Sequence, residues 1–262
     1  MKTELFDELI NKEVRDQILQ LMRDASDVIL DIYHSDQIEV DEKADQSPVT
    51  QADLAAHQIL IEGLRRITPG IPIVSEEDTT SLEIPKSAHT FWLIDPLDGT
   101  KEFISRNGEF TCNVALVSDH ETVYGWVSVP VDNVVYHGGR GTGAQRVDKM
   151  GNIEMIHCQP QTNPIRVVVS KSHSNEETNS FVAALNGPVE LVQTGSSLKF
   201  LKIAEGKADL YPRLAPTCEW DTAAAHAILE GAGGLITQID GSPLRYGKTE
   251  IRNPKFIAKA NP

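Results

Sequence analysis

An uncharged apolar run, Phe91-Trp92-Leu93-Ile94, leads directly into the acidic segment Asp95-Pro96-Leu97-Asp98-Gly99-Thr100. The run predicts a buried strand, so the chain should fold around a sheet with one strand ending at two carboxylates. Carboxylates this close repel each other unless a positive charge lies between them, and Mg2+ favours such oxygen ligands. The alternative is a simple turn, because Asp, Pro and Gly all favour turns.

The N-terminal half of the sequence predicts an α+β arrangement. One helical stripe is formed by Val14, Ile18, Leu21, Met22, Ala25, Val28, Ile29 and Ile32. A second helix is predicted from about Pro48-Val49-Thr50 and ends before the stop signal Pro69-Gly70. Short apolar runs at residues 71–74, 91–94, 111–117, 122–129 and 134–136 predict strands, the last three forming an antiparallel meander.

The C-terminal half predicts an α/β arrangement, since strand and helix patterns alternate after the polar residues 159–164. Strands are predicted at residues 166–170, 189–192 and 208–211, and helices at residues 175–185, 196–205 and 221–231. The glycines of residues 138–143 predict a hairpin turn, because no helix follows them to make a phosphate cradle. We therefore predict an α+β metal-binding domain over residues 1–160 and an α/β substrate-binding domain over residues 161–262.

Charge and composition exclude some classes of function. The 262 residues carry a formal charge of −14, the wrong sign for a nucleic-acid binder, and this charge repels an anionic substrate unless metal ions assist. Three scattered cysteines are too few for a disulfide framework. The residues after Met1 include acids where a signal peptide would have a basic flank, so we expect no signal peptide. No apolar segment is long enough to span a bilayer. We expect a cytoplasmic protein. The sequence leaves open whether it attaches peripherally to the inner face of the inner membrane, and it leaves open the oligomeric state.

Four acids fall at predicted element ends: Glu76, Asp95, Asp98 and Asp221. Each has a simpler interpretation, since Glu76 and Glu77 could form a solvated turn and Asp221 could cap a helix. An EF-hand is excluded by the spacing, and a zinc site by the lack of clustered His or Cys. Together the four acids favour a site for hard divalent cations.

Three separated motifs, Glu76-Glu77, Asp95-Pro96-Leu97-Asp98-Gly99-Thr100 and Trp220-Asp221, resemble the signatures of the lithium-sensitive, Mg2+-dependent phosphatases typified by inositol monophosphatase. The resemblance extends from about Asp24 to the C-terminus and implies a layered αβαβα sandwich. Further segments resemble the bacterial 3'(2'),5'-bisphosphate nucleotidases of the CysQ type. These segments are residues 43–53, 101–104, 106–111, 195–200 and 204–206.

The resemblance implies a site with two or three Mg2+ ions. Glu76, Asp95 and the carbonyl of Leu97 would bind one ion, and Asp98 and Asp221 would complete a second that Asp95 bridges. A third ion would lie near Glu76, which is therefore also counted as catalytic. Asp53 and Thr100 would form a relay that takes a proton from the attacking water. Without the resemblance, Asp53 would be interpreted as a solvated helix position.

Substrate contacts form a second group. Gly99 and Thr100 would present backbone N–H groups to the phosphate if a helix begins there. Gly195, Ser196 and Ser197 would open another helix and contact the nucleotide, although an ordinary serine N-cap explains them nearly as well. Lys199 is a candidate phosphate counter-charge, whereas Arg213 could simply pair with acids. The remaining substrate residues implied by the resemblance are Glu76, Leu97, Asp98, Ser170, His173 and Asp221.

The activity implied by the resemblance is Mg2+-dependent removal of the 3'-phosphate of adenosine 3',5'-bisphosphate, a by-product of sulfate assimilation, to give AMP. The metal motifs do not choose between this substrate and an inositol or sugar phosphate. A non-catalytic phosphate-binding module is a further alternative, which the water relay argues against. One departure is that Ala223-Ala224-Ala225 stands where the family often has a glycine.

Overall fold

The computed structural model describes residues 9–43, 48–170 and 175–261. Helix α1 spans Lys12–Tyr33, and Asn11 caps it by accepting a hydrogen bond from the Val14 N–H. Helix α2 spans Gln51–Ile67 and begins at the N-cap Thr50. Both helices match the sequence prediction. Two short strands precede α2: β1 (Val40–Glu42) pairs antiparallel with β2 (Pro48–Thr50).

A seven-stranded sheet follows in the N-terminal half. Its strands are β3 (Ile73–Ser75), β4 (Thr90–Asp98), β5 (Thr111–Ser118), β6 (Glu121–Val129), β7 (Val134–Gly139), β8 (Gly143–Val147) and β9 (Ile153–Ile156). β3 runs parallel to β4, and the other neighbours are antiparallel, which confirms the meander predicted for β5, β6 and β7. The glycine-rich residues 138–143 form the β7–β8 hairpin turn, as predicted. A short helix, α3 (Thr100–Ile104), begins immediately after β4.

A five-stranded sheet forms in the C-terminal half. Its strands are β10 (Ile165–Ser170), β11 (Val189–Thr194), β12 (Leu210–Arg213), β13 (Gly234–Gln238) and β14 (Phe256–Ala260). The order across the sheet is β11-β10-β12-β14-β13, so β14 lies between two earlier strands. The helices of this half are α4 (Glu176–Ala183), α5 (Leu198–Ala204) and α6 (Ala223–Gly231).

The elements stack in five layers: α1 with α2, the seven-stranded sheet, α5 with α6, the five-stranded sheet and α4. The middle layer shares one apolar core with both sheets, so residues such as Val127, Ile228 and Ala258 belong to a single cluster. The division into two domains at residue 160 stays a prediction. None of the helices in the described ranges is long and apolar enough to cross a membrane.

Helix α6 packs directly on strand β6. A Cβ atom on Gly125 would lie 2.1 Å from the carbonyl oxygen of Ala224, so only glycine fits there. Ala223, Ala224 and Ala225 are buried in this contact. Small side chains on both sides therefore let the helix approach the sheet closely.

Candidate functional site

Glu76 and Asp95 lie side by side because their strands are parallel. Ser75 pairs with Ile94, so each acid directly follows one residue of this pair. The Glu76 N–H donates to the Ile94 carbonyl at 3.2 Å, which holds the Glu76 backbone against the end of β4. Asp95 is only 1% exposed. The structure thus brings Glu76 and Asp95 together, but β4 continues to Asp98, so Asp95 does not end its strand as predicted.

Asp221 reaches the same place from the turn that precedes α6. Carboxylate oxygens of Glu76, Asp95 and Asp221 all lie within 4.8 Å of one another, and we call these residues the carboxylate triad. Asp221 does not cap α6, because its Oδ2 accepts from the Cys218 N–H, which precedes it, at 2.8 Å. The simpler interpretation of Asp221 as a helix cap is therefore wrong.

Asp98 lies beside the triad but outside the 4.8 Å group. The pairing of β4 with β5 shifts register between Asp95 and Asp98, which turns the end of the strand. Oδ2 of Asp98 accepts hydrogen bonds from the Ser196 hydroxyl at 2.8 Å and the Ser197 N–H at 2.7 Å. These bonds orient the carboxylate and leave Oδ1 as the oxygen able to bind a cation. The Leu97 side chain is buried in the core, so only its carbonyl could join the site.

The carboxylates of the triad are buried and repel one another, which favours the binding of a cation. Burial, together with repulsion from Glu76, Asp98 and Asp221, raises the pKa of Asp95 well above that of an ordinary Asp. The pKa of Asp221 is raised in the same way. A divalent cation would relieve this repulsion, and an all-oxygen donor set is the kind that Mg2+ prefers. The residues therefore fit the metal that the sequence resemblance implies.

Lys43 supplies positive charge at one side of the triad. Its ammonium group lies 2.8 Å from Oε1 of Glu76 and 2.6 Å from Oε1 of Glu77. Burial nevertheless raises the pKa of Glu77 to about 7 and also raises that of Glu76. The acidic pair is largely withdrawn from water, so the interpretation of Glu76 and Glu77 as a solvated turn is wrong.

Asp53 and Thr100 form a hydrogen-bonded pair next to the triad. The Thr100 hydroxyl donates to Oδ1 of Asp53 at 3.2 Å, while Oδ2 accepts from the Thr50 N–H and hydroxyl. Asp53 is 1% exposed, so it is not a solvated helix position. Burial raises the pKa of Asp53 above the ordinary value. Thr50 thus fixes one oxygen of this carboxylate and leaves the other for Thr100.

A cavity of about 290 Å³ opens beside these groups and holds most of the predicted substrate residues. Its lining includes Glu76, Asp98, Gly99, Thr100, Ser170, Gly195, Ser196, Lys199, Arg213 and Asp221. Gly99 has φ +98° and opens α3, so the predicted helix start beside the site is present. His173 lies outside the described residues, as do residues 44–47 of the resemblance segment 43–53.

Lys199 and Ser197 both lie at the start of α5, but their surroundings differ. Lys199 is 6% exposed, and its burial lowers its pKa to about 8 despite the nearby Asp98. Ser197 precedes α5 but makes no side-chain cap; its hydroxyl donates to the Asp221 carbonyl at 2.9 Å. The ordinary N-cap interpretation of this serine is therefore wrong, and Ser197 ties α5 to the triad instead.

The sequence model of the inositol monophosphatase family matches residues 10–261 of this chain. The chain belongs to the inositol monophosphatase family. A 3'(2'),5'-bisphosphate nucleotidase CysQ from Escherichia coli (strain K12) is 44% identical over 243 residues, which cover 92% of this chain and 97% of the relative. The protein of the same name from Buchnera aphidicola (subsp. Acyrthosiphon pisum) is 38% identical over 265 residues, 99% of each chain.

A crystal structure from the same family has the same fold. CysQ from Bacteroides thetaiotaomicron, a bacterial member of the inositol monophosphatase family, matches with a TM-score of 0.86 and 38% identity, over 97% of this chain and 99% of that chain. This confirms the layered sandwich of an α+β half and an α/β half. It also confirms the family resemblance drawn from the three motifs.

Two residues at this family site were not given roles from the sequence. Lys43 belongs to the resemblance segment 43–53, but no role was assigned to it. A lysine that precedes the helix carrying Asp53 could have been recognised as a partner for acids in so acidic a chain. Thr111 lies 3.4 Å from Oδ2 of Asp98 and 2.5 Å from the Ser196 hydroxyl. It is the last residue of the resemblance segment 106–111, but the alternation of its strand shows burial and not which partners it meets, so the sequence did not assign it a role.

Proposed function

We propose that this protein hydrolyses the 3'-phosphate of adenosine 3',5'-bisphosphate to give AMP and phosphate, with Mg2+ as cofactor. The observation that carries the proposal is the carboxylate triad with the Thr100–Asp53 hydrogen bond beside it. A phosphatase that acts through a metal-activated water needs both a cation site and a group that accepts a proton from that water. The relatives named 3'(2'),5'-bisphosphate nucleotidase, 44% identical, support this choice of substrate.

Glu76, Asp95, Asp221, Oδ1 of Asp98 and the Leu97 carbonyl would hold two or three Mg2+ ions. When bound, Mg2+ supplies positive charge that polarises the phosphate and acidifies water. The residues contribute orientation: Ser196 and Ser197 fix Asp98, and the Cys218 N–H fixes Asp221. These hydrogen bonds, together with the pairing of β3 with β4, orient the ligands independently of a metal ion.

The water relay follows from the hydrogen bonds of Asp53. The Thr100 hydroxyl accepts a hydrogen bond from water and donates its own proton toward Oδ1 of Asp53. The raised pKa of Asp53 makes it a better proton acceptor than a solvated aspartate. Oδ2 keeps its bonds to Thr50, so the carboxylate does not rotate as the proton arrives.

Two basic side chains that line the cavity would bind the second phosphate of the nucleotide. Lys199 is buried among acids, and Arg213 lines the same cavity with a buried Nε that has no partner in the described ranges. A dianionic phosphate would give both groups a partner and would stabilise the charged form of Lys199. These two residues let a chain of formal charge −14 accept an anionic nucleotide. We include a cytoplasmic location in the proposal, supported by three free cysteines.

The test measures phosphate release in the presence of Mg2+ from three substrates: adenosine 3',5'-bisphosphate, adenosine 3'-monophosphate and inositol 1-phosphate. The bisphosphate should be the best substrate. Lys199→Met should raise KM for the bisphosphate by about tenfold and leave KM for the monophosphate nearly unchanged, since only the former has a second phosphate. Lys199→Arg is the matched control that keeps the charge.

Asp98→Asn should abolish turnover while circular dichroism shows an unchanged fold. Equal or faster release from inositol 1-phosphate would favour the inositol or sugar phosphate alternative. Absence of turnover on all three substrates, with nucleotide binding intact, would favour the non-catalytic phosphate-binding module. Full activity of Asp98→Asn would contradict the assignment of this carboxylate to the metal site.

A further inference from the structure

The turn that carries Asp221 is held by part of the segment between β13 and β14. We call this part, residues 247–253, the clamp segment. The Glu219 N–H donates to the Ile251 carbonyl at 3.0 Å, so a backbone hydrogen bond joins the turn to the clamp segment. None of the clamp residues, all of which lie in the described ranges, lines the cavity beside the triad. The clamp segment therefore contacts the turn without contacting a ligand in that cavity.

Glu219 extends from the turn into the clamp segment, and its side chain is fully buried. Its Oε2 accepts from the Gly247 N–H at 2.6 Å, and its Oε1 accepts from the Lys248 N–H at 3.1 Å and contacts the Lys248 ammonium group. A carboxylate buried two residues from Asp221 adds negative charge to an acidic site, and an apolar side chain would often stabilise the fold as well. What an apolar side chain would not provide is the set of hydrogen bonds that fixes the turn.

Asn253 extends in the opposite direction, from the clamp segment into the turn. Its Nδ2 donates to the Cys218 carbonyl at 2.7 Å and lies 3.0 Å from the hydroxyl oxygen of Thr222. Its backbone N–H donates to the Thr217 carbonyl at 2.8 Å. One residue of the clamp segment therefore binds the chain both before and after Asp221.

The clamp segment fixes the peptide group that orients Asp221. The N–H of that group belongs to Cys218 and donates to Oδ2 of Asp221 at 2.8 Å. The carbonyl of the same group belongs to Thr217 and accepts from the Asn253 N–H. The next peptide group is fixed at both ends, because the Cys218 carbonyl accepts from Asn253 and the Glu219 N–H donates into the clamp segment. Hydrogen bonds of this kind orient a ligand and raise its affinity for a metal ion.

We propose that Glu219 and Asn253 are positioning residues for Asp221, and that the clamp segment sets the affinity of the ion that Asp221 would bind. The inference rests on the metal site of the proposed function and adds residues that lie outside the substrate cavity. Replacing a residue that orients a metal ligand lowers metal affinity by about 10- to 100-fold. The effect should therefore be on metal binding, and it should act through Asp221 alone.

The test measures binding of Mn2+ to the intact chain without substrate, by electron paramagnetic resonance of the free ion. Mn2+ takes the same oxygen ligands as Mg2+. Asn253→Leu removes the side-chain hydrogen bonds without changing charge and should raise, by about tenfold, the Kd of the ion that Asp221→Asn loses. Glu219→Gln should raise the same Kd about as much, because its NH2 group would face the N–H donors of Gly247 and Lys248.

Asp209→Asn is the matched control for a general loss of stability. Asp209 is 3% exposed and pairs with Arg166 at 2.7 Å. This pair lies at the start of β10 and β12, whereas Ser170 and Arg213, at the ends of these strands, line the cavity. The control should therefore lower Tm and leave every Mn2+ Kd within about twofold of that of the unchanged protein.

A double-mutant cycle separates positioning from charge and from loosening of the fold. In the Asp221→Asn background, Asn253→Leu and Glu219→Gln should each change the remaining Mn2+ binding by less than about twofold, because the ligand that they position is gone. Equal weakening with and without Asp221 would overturn the proposal, and so would an unchanged Mn2+ Kd in both single variants. Absence of Mn2+ binding by the unchanged protein would overturn the proposed metal cofactor and this inference with it.

Discussion

Replacement of Asp95 by Asn should stabilise the metal-free protein although it removes a ligand of the proposed metal site. Asp95 is 1% exposed, and its carboxylate lies within 4.8 Å of those of Glu76 and Asp221. Two unit charges at this separation repel by about 3.5 kcal/mol at an effective dielectric constant of about 20. Asn keeps the Oδ1 atom that accepts from the Leu97 N–H at 3.1 Å, so removal of charge is the main change.

The expected gain is about 2 kcal/mol at neutral pH, because sharing of a proton already relieves part of the repulsion in the unchanged triad. For a chain of this size that gain raises Tm by about 5 °C, measured by thermal unfolding in EDTA. Mg2+ at about 100 times its Kd should stabilise the unchanged protein by about 2.7 kcal/mol and the variant hardly at all.

Asp36→Asn is the control, because Asp36 is exposed and its replacement should change stability by less than about 0.5 kcal/mol. A lower Tm for metal-free Asp95→Asn would refute the reasoning, since it would mean that the carboxylate stabilises the fold without a cation. Equal stabilisation of both proteins by Mg2+ would show that Asp95 is not a ligand.

Three further outcomes are expected. Thr100→Val should lower kcat by about 100-fold with little change in KM, whereas Thr100→Ser should keep most activity; similar rates for both variants would contradict the relay. Lys43→Met should destabilise the metal-free protein by about 1–3 kcal/mol, because it leaves buried Glu76 and Glu77 unpaired, and should enlarge the rise in Tm caused by Mg2+. Folding raises the pKa of the buried acids, to about 7 for Glu77. These acids therefore favour the folded protein at low pH, and this stabilisation is lost as pH rises through the raised pKa values. Without metal, Tm should therefore fall between about pH 4.5 and pH 7 and should change less with Mg2+ bound, whereas a rise without metal would contradict the shifts.

The sequence predicted those elements whose apolar pattern is strong. α1 and α2 have helical stripes, and β4 to β7 have long buried runs, so tertiary packing agrees with local preference. β1, β2, β8, β9, β13 and β14 were not predicted. β9 shows why: three of its four residues are exposed, so its edge position leaves no burial pattern to detect.

The candidate site was predicted from its acids, but their partners were not. Glu76, Asp95 and Asp221 stand in recognisable motifs, and the parallel pairing of β3 with β4 brings the first two together. Thr50 could be recognised as a helix cap, but its fixing of one Asp53 oxygen depends on the folded geometry. The contacts of Ser196 and Thr111 with Asp98 join residues that are far apart in sequence, and no local pattern encodes them.

The position of β14 has a consequence for synthesis on the ribosome. This strand lies between β12 and β13, although both are made before it. The seven-stranded sheet contains only residues up to Ile156 and can form early, as N-terminal units generally do. The second sheet must wait for β14, and until then the segment carrying Asp221 has no completed support. A nascent chain should therefore hold Glu76 and Asp95 in place well before it can bind metal fully, and phosphatase activity should appear only after β14 emerges.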